Sequence, residues 1–287
     1  MTSTEHRAAA QPALHGFRAK YEAAATRNQS LLCVGLDPDP DQIPDGVDVA
    51  DFLAAIVEAT ADLVCCYKPN IAFFEPDLGA GLERLRRLIA DVPEGVPVLL
   101  DAKRGDVGHT ATFYARAVFD ALGADAVTAN GYLGRDAVAP FIERADRATF
   151  LLVRTSNPGA RDLQDLRLAD GRALYEHVAG LAAEWNREHG NVGLVVGATY
   201  PEQARRIREI CPDQPMLMPG IGPQAGDLEA AVRAGIDAHG GGILVNASRG
   251  VMYAGAGVGA RALGDWARAA RTAAQQLREA MNRARGA

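Results

Sequence analysis

The sequence is poor in cysteine, and its cysteines are not paired. Cys33, Cys65, Cys66 and Cys211 contain no C-x-x-C spacing, which argues against a zinc site or a disulfide framework. Three of the four lie in apolar runs, as buried free thiols of a reducing compartment would. No apolar segment reaches the roughly 20 residues that a bilayer-spanning helix needs. The opening residues Met1-Thr2-Ser3-Thr4-Glu5-His6-Arg7 have no basic region followed by an apolar stretch, so no secretory signal is expected and a cytoplasmic setting is. Excess positive charge is also missing. A formal net charge of -6 argues against a general nucleic-acid or anionic-membrane surface. Finally, no G-x-G-x-x-G follows the first apolar run, which disfavours a doubly wound dinucleotide-binding sheet.

What is present is an alternating pattern. The chain has 287 residues, 48% of them apolar, enough for one large domain or two small ones. Short apolar runs occur at residues 31–36, 63–68, 96–100, 124–129, 149–153, 192–196, 215–218 and 242–245. Helical periodicity fills the intervals, with a stripe at Leu82, Leu85, Leu88 and Ile89 and another at Phe113, Ala117, Val118 and Ala121. Helices are also expected over residues 172–188, 201–210, 225–234 and 261–283. Pro201 suits a helix first turn and Gly235 a helix stop. Strictly alternating strands and helices imply a parallel sheet, and eight units imply a single-domain (β/α)₈ TIM barrel. The expected domain spans residues 1–287 without a linker. Residues 1–30 would contribute an opening helix (about 13–26) and residues 261–287 a closing one, both packed on the barrel. Arg268, Arg271, Arg278 and Arg285 read as a solvated helix face. Residues 157–171, polar and turn-rich, read as a long loop over the barrel mouth.

In such a barrel, chemistry sits where the strands end. The third run leads into Asp101-Ala102-Lys103-Arg104-Gly105-Asp106. Residues two apart on a strand share a face, so Asp101 and Lys103 project together, and Asp106 follows after a glycine that permits a turn. Two carboxylates around one ammonium at the mouth of a buried strand are a costly group to place for packing alone. The competing reading is an ion-pair ladder at a strand end. Asp37 and Lys68 end the first two strands, and such a pair can hold vicinal sugar hydroxyls. They could equally be a helix cap and its partner. Pro219-Gly220-Ile221-Gly222-Pro223-Gln224 and Asn246-Ala247-Ser248-Arg249-Gly250 fall in the loops after strands seven and eight. Exposed backbone N–H groups there, with Gln224 and Arg249, suit a phosphate dianion.

These residues resemble the orotidine 5'-phosphate decarboxylase family, most closely its longer, divergent bacterial branch. The resemblance runs over residues 31–249. It rests on Gly35-Leu36-Asp37-Pro38, Lys68-Pro69-Asn70, the D-x-K-x-x-D core extended through Val107-Gly108-His109-Thr110, Ser156-Asn157-Pro158-Gly159, and the two phosphate-loop segments. It implies decarboxylation of orotidine 5'-phosphate (OMP) to UMP in de novo pyrimidine biosynthesis, with no metal and no organic cofactor. It further implies that Lys103 donates the proton, that Asp101 holds that lysine, and that Asp37 and Lys68 bind ribose. Ser156 would contact the pyrimidine, and Gln224 and Arg249 the phosphate. The implied assembly is a homodimer in which Asp106, with Thr110 near it, reaches the neighbouring site. Two other readings accompany this one: a Mg²⁺-dependent relative of the hexulose-phosphate synthase kind, and a phosphate-ligand binding module without activity.

Overall fold

The computed structural model describes residues 16–221 and 228–286. Eight strands form one parallel sheet: β1 (Leu32–Leu36), β2 (Cys66–Pro69), β3 (Leu99–Arg104), β4 (Ala126–Ala129), β5 (Ala148–Arg154), β6 (Val192–Val196), β7 (Met216–Met218) and β8 (Ile243–Ala247). Their order is β2-β1-β8-β7-β6-β5-β4-β3. The remaining seam, between β2 and β3, carries only the isolated parallel bridges Tyr67↔Val98 and Asn70↔Asp101. The sheet is therefore a nearly closed barrel, as the alternation predicts.

The helices are α1 (Gly16–Arg27), α2 (Val49–Thr60), α3 (Gly81–Asp91), α4 (Gly108–Arg116), the short α5 (Ala139–Ile142), α6 (Leu174–His189), α7 (Pro201–Ile210), α8 (Leu228–Gly235), the short α9 (Arg249–Met252) and α10 (Ala254–Gly257), and α11 (Leu263–Arg285). Periodicity locates the long ones to within a few residues. It does not find α5, α9 and α10, which are single turns too short to carry a stripe. The portions of the expected helices at residues 13–15 and 225–227 lie outside the described residues.

Two cores follow from the alternation of side chains on buried strands. The larger lies between the outside of the barrel and the helices. The smaller fills the lower barrel interior with Cys33, Cys66, Leu99, Ala126, Phe150, Val195, Leu217 and Leu244. Helix α1 plugs this end. Phe17 meets Phe150 edge-on at 5.5 Å between centroids, Tyr21 donates from its hydroxyl to the Ile243 carbonyl at 3.0 Å, and Lys20 pairs with Asp125 at 2.9 Å. Burying Phe17 and Tyr21 contributes roughly 1.5–3 kcal/mol for each ring. All four cysteines are buried free thiols.

Helix α11 departs from expectation at its arginines. Arg271 holds both Asp62 oxygens, at 2.7 and 2.8 Å, and the Ala59 carbonyl at 2.8 Å. Arg278 and Arg285 reach the carbonyls of Asn28 and Gly240. Arg271, Arg278 and Arg285 thus fasten α11 to its neighbours, whereas Arg268 stays exposed as expected and pairs with Asp265 of its own helix.

Candidate active site

At the barrel mouth the inward positions change from apolar to charged. The third strand runs further than its apolar stretch, through Asp101 and Lys103 to Arg104. Its pairing with β4 slips between Leu100 and Arg104, a bulge of the kind that re-aims side chains beside functional sites. Lys103 there adopts a left-handed backbone, φ +47°, a conformation that costs a lysine on the order of 1 kcal/mol or more. Thr128 of β4 replaces the lost ladder. Its hydroxyl accepts from the amides of Ala102 (3.0 Å) and Lys103 (2.9 Å) and donates to Asp101 Oδ1 at 2.9 Å, which saturates a hydroxyl.

Asp101 is the hub. Lys103 Nζ donates to its Oδ1 at 2.7 Å and Lys68 Nζ to its Oδ2 at 3.2 Å. Asp37 Oδ1 lies 4.0 Å from Lys68 Nζ and accepts from the Asn70 amide at 3.2 Å. The Lys68 side chain is 4% exposed, whereas that of Lys103 is 51% exposed. One ammonium is enclosed, and the other is presented to the mouth. Burial alone would raise the Asp101 carboxyl, but the Lys68 and Lys103 charges and the bonds from Lys103 and Thr128 bring it down to about 2. Burial likewise works against the Lys68 ammonium, and the facing Asp37 and Asp101 carboxylates hold its pKa above the ordinary lysine value. Asp101 and Lys68 thus each keep their charge through the opposite charges that face them.

Asp106 stands apart from this group. Among the described residues it forms no ion pair, and within one chain the carboxylate beside Lys103 is that of Asp101. Gly105, which must be glycine because a Cβ would strike the Asn130 carbonyl, turns the chain outward. Asp106 then accepts from the Val107 amide at 2.7 Å. Thr110 lies exposed in the first turn of α4. On the segments that follow β3 and β4, Val107 (61% exposed), Phe113 of α4 (55%), Tyr132 (77%) and Leu133 (53%) are large apolar side chains left exposed.

The opposite side of the mouth carries unspent groups. Ser156 follows β5, and its backbone packs against Gly197, where a Cβ would clash, and beside Gly220, whose φ is +103°. No hydrogen bond engages the Ser156 side chain among the described residues, whereas the neighbouring Thr155 is bound by Gln164. Arg249 opens α9, exposed, with no ion pair among the described residues. Gln224 and the loop at residues 222–226 lie outside the described residues. Residues 157–171 do form a loop at the mouth, containing a 3₁₀ turn at Pro158–Asp162.

Sequence reasoning missed several contributors. Thr128 could have been found as the inward position level with Asp101. Tyr253 could not: its hydroxyl donates to the Asp37 carbonyl (3.0 Å) and accepts from the Asp39 amide (2.7 Å) from beyond β8. Asn246, 8% exposed on β8, leaves its Oδ1 without a partner among the described residues. Among the described residues no group of three or more His, Cys, Asp or Glu is arranged to hold a metal, and no helix is long and apolar enough to cross a membrane.

Comparison with known proteins meets this geometry. A model of the Orotidine 5'-phosphate decarboxylase / HUMPS family matches residues 30–262. The chain is 54% identical over 274 residues to the orotidine 5'-phosphate decarboxylase of Roseiflexus castenholzii, covering 93% of this chain and 98% of that one. It is 50% identical over 273 residues to the protein of the same name from Azoarcus sp., with 93% and 98% covered. Among solved structures, OMP decarboxylase of Leishmania donovani superposes with a TM-score of 0.81 at 42% identity, over 95% of this chain and 99% of that one. A putative orotidine 5'-phosphate decarboxylase from Streptomyces avermitilis gives 0.81 at 31% identity, over 96% and 98%.

Proposed function

The chain belongs to the orotidine 5'-phosphate decarboxylase / HUMPS family, and on that premise we propose that it is a carboxy-lyase converting OMP to UMP and CO₂ for pyrimidine synthesis. The observation that carries the reading is Lys103, an exposed ammonium fixed on Asp101 beside the Lys68–Asp37 pair. Loss of CO₂ breaks the bond at C6 and leaves its electron pair on a carbon with no adjacent carbonyl to take the charge. A preorganised cation in a confined mouth can stabilise that pair. Lys103 Nζ then transfers a proton to C6 and is reprotonated from solvent. The backbone strain at Lys103 and the three-way hold on Asp101 set the geometry before substrate arrives.

Asp37 and Lys68 take the ribose hydroxyls, Ser156 the pyrimidine, and Arg249 with Gln224 the phosphate. Phosphate binding draws the loop at 157–171 over the site, so that remote contacts assist the chemistry. A UMP analogue should therefore protect the 157–171 loop from proteolysis, and equal cleavage with and without it would count against closure.

We also propose a homodimer. The exposure of Val107, Phe113, Tyr132 and Leu133 after β3 and β4 fits burial against a second copy. The outward turn at Gly105 would then deliver Asp106 and Thr110 to the partner's mouth. There Asp106, near the departing carboxylate, would add ground-state repulsion, secondary to stabilisation by Lys103. The reading takes residues 1–287 as one domain of a cytoplasmic enzyme that uses no cofactor.

A metal-dependent reaction on the same barrel is the second reading, and the Lys68 position weighs against it. An ammonium buried between Asp37 and Asp101 occupies the place and charge that a cation would need. The test is loss of OMP absorbance with and without EDTA. Turnover unchanged by chelator is expected. Absence of turnover would reject the enzyme, and chelator-sensitive turnover would reinstate the metal.

A further inference from the structure

Strand β5 ends in an arginine that the catalytic reading leaves unused. Arg154 is 1% exposed, a placement that costs several kcal/mol unless the guanidinium is well matched. Its terminal nitrogens are spent on the loop that follows. Nη1 donates to the Thr155 carbonyl at 2.7 Å and to Gln164 Oε1 at 3.4 Å, and Nη2 donates to Asp165 Oδ2 at 3.3 Å. Nε lies 3.1 Å from Asp165 Oδ1. Gln164 passes the hold back along the chain, accepting from the Thr155 amide at 2.8 Å and donating to the Thr155 hydroxyl at 2.9 Å.

The guanidinium also lies over the Tyr200 ring, 4.2 Å from its centroid, a favourable stacking geometry for arginine. Tyr200 immediately precedes α7, on the loop after β6. Arg154 thus joins two loops, and Ser156 sits between them. The Ser156 backbone is pressed to Gly197 of the β6 loop and its Cβ to Gly220 after β7. A side chain at either glycine would crowd Ser156, so the serine lies close between the two. Its place is set by whatever holds Thr155 on one side and the β6 loop on the other, and both are held by Arg154.

We propose that Arg154, with Gln164, Asp165 and Tyr200, is the positioning device that places Ser156 for the pyrimidine ring, and so sets base recognition without touching substrate. This rests on the OMP reading and on Ser156 as the ring contact. A misplacement of about 1 Å in such a group can cost up to a hundredfold. The loss should fall mainly on the base, because the ribose groups lie on β1 and β2 and Arg249 opens α9 beyond β8.

The test compares UMP with ribose 5-phosphate, which keeps the sugar and phosphate and lacks the base. Binding of both is measured by titration calorimetry for wild type, Arg154→Met, Arg154→Lys, Tyr200→Phe and Tyr200→Leu, beside OMP kinetics and thermal melts. For Arg154→Met and Tyr200→Leu the ratio of UMP to ribose 5-phosphate affinity should fall about tenfold, with kcat/KM for OMP falling in step. Arg154→Lys keeps the charge without the planar fork and should not rescue it, whereas Tyr200→Phe keeps the ring and should. If Arg154→Met does not fold, the Tyr200 pair decides alone. An unchanged ratio, an equal loss for both ligands, or full rescue by lysine would overturn the proposal. Failure of the wild type to consume OMP would instead overturn the reading beneath it, which the wild-type arm detects separately.

Discussion

The two halves of the barrel mouth handle polar groups in opposite ways. Over β1–β4 nearly every charge is already matched: Lys68 and Lys103 share Asp101, Thr128 is saturated, and Asp37 holds the Asn70 amide. Over β5–β8 the groups facing the mouth are unspent. Arg249 has no ion pair and Ser156 no side-chain bond among the described residues, and Asn246 Oδ1 is unpartnered. A group that must stabilise charge at the moment of bond breaking works best when its surroundings need no rearrangement. A group that must recognise a ligand works best when its donors are not already committed. The first half is built for the reaction and for holding the sugar beside it, and the second for capture of the base and phosphate.

The largest expected effect tests the first half. Lys103→Ala should reduce OMP turnover below detection while UMP binding stays within a few-fold, since removing the reacting cation leaves the capturing groups in place. Retained turnover would erase the distinction. Mixing Lys103→Ala with Asp106→Ala subunits sharpens it further. If Asp106 acts across the dimer, heterodimers regain one intact site and the mixture turns over OMP faster than its two parents account for, whereas a mixture no faster than its parents would place Asp106 elsewhere.

Asp101→Ala strands the buried Lys68 ammonium and should lower stability by about 3–5 kcal/mol in urea unfolding. Arg249→Ala, on the capturing side, should leave stability nearly unchanged and cost about 2–3 kcal/mol in kcat/KM for OMP. A fold damaged as badly by Arg249→Ala as by Asp101→Ala would collapse the comparison.

The smallest effect is a pH dependence. The folded Asp101 carboxyl is held at about 2 against an ordinary 3.8, so its contribution is present above pH 4 and lost as pH falls toward 2. About 2 kcal/mol is involved. Lys68 is raised, so its contribution is present below the ordinary lysine value and lost only as pH climbs past its folded one. Acid titration of wild type against Asp101→Asn reads the first window. Identical acid limbs would mean that the carboxylate is not under strong cationic influence.

The legibility of the site divides along the same line. Alternation and strand-end charges make the barrel and the Asp37–Lys68–Asp101–Lys103 group readable, because inward positions on a parallel strand follow period two. The bulge that puts Lys103 into a left-handed turn leaves no trace in composition, since the residue is a lysine and not a glycine. Nor does anything local announce that Asp106 leaves the group, because the turn is fixed by the distant Asn130 carbonyl. The Arg154 clamp was equally hidden. A lone arginine after an apolar strand looks like a surface charge until the loop that buries it is seen.

The thin seam between β2 and β3 has a consequence for dynamics. Two bridges are few backbone bonds for neighbouring strands, and the Lys68–Asp101 contact crosses that very gap. The barrel is therefore stitched shut at its weakest join by atoms assigned to catalysis. Amides flanking the gap, such as those of Tyr67 and Asn70, should exchange with solvent sooner than their counterparts on β6. Variation at those two side chains would then loosen the wall as well as the chemistry, so neither can drift alone.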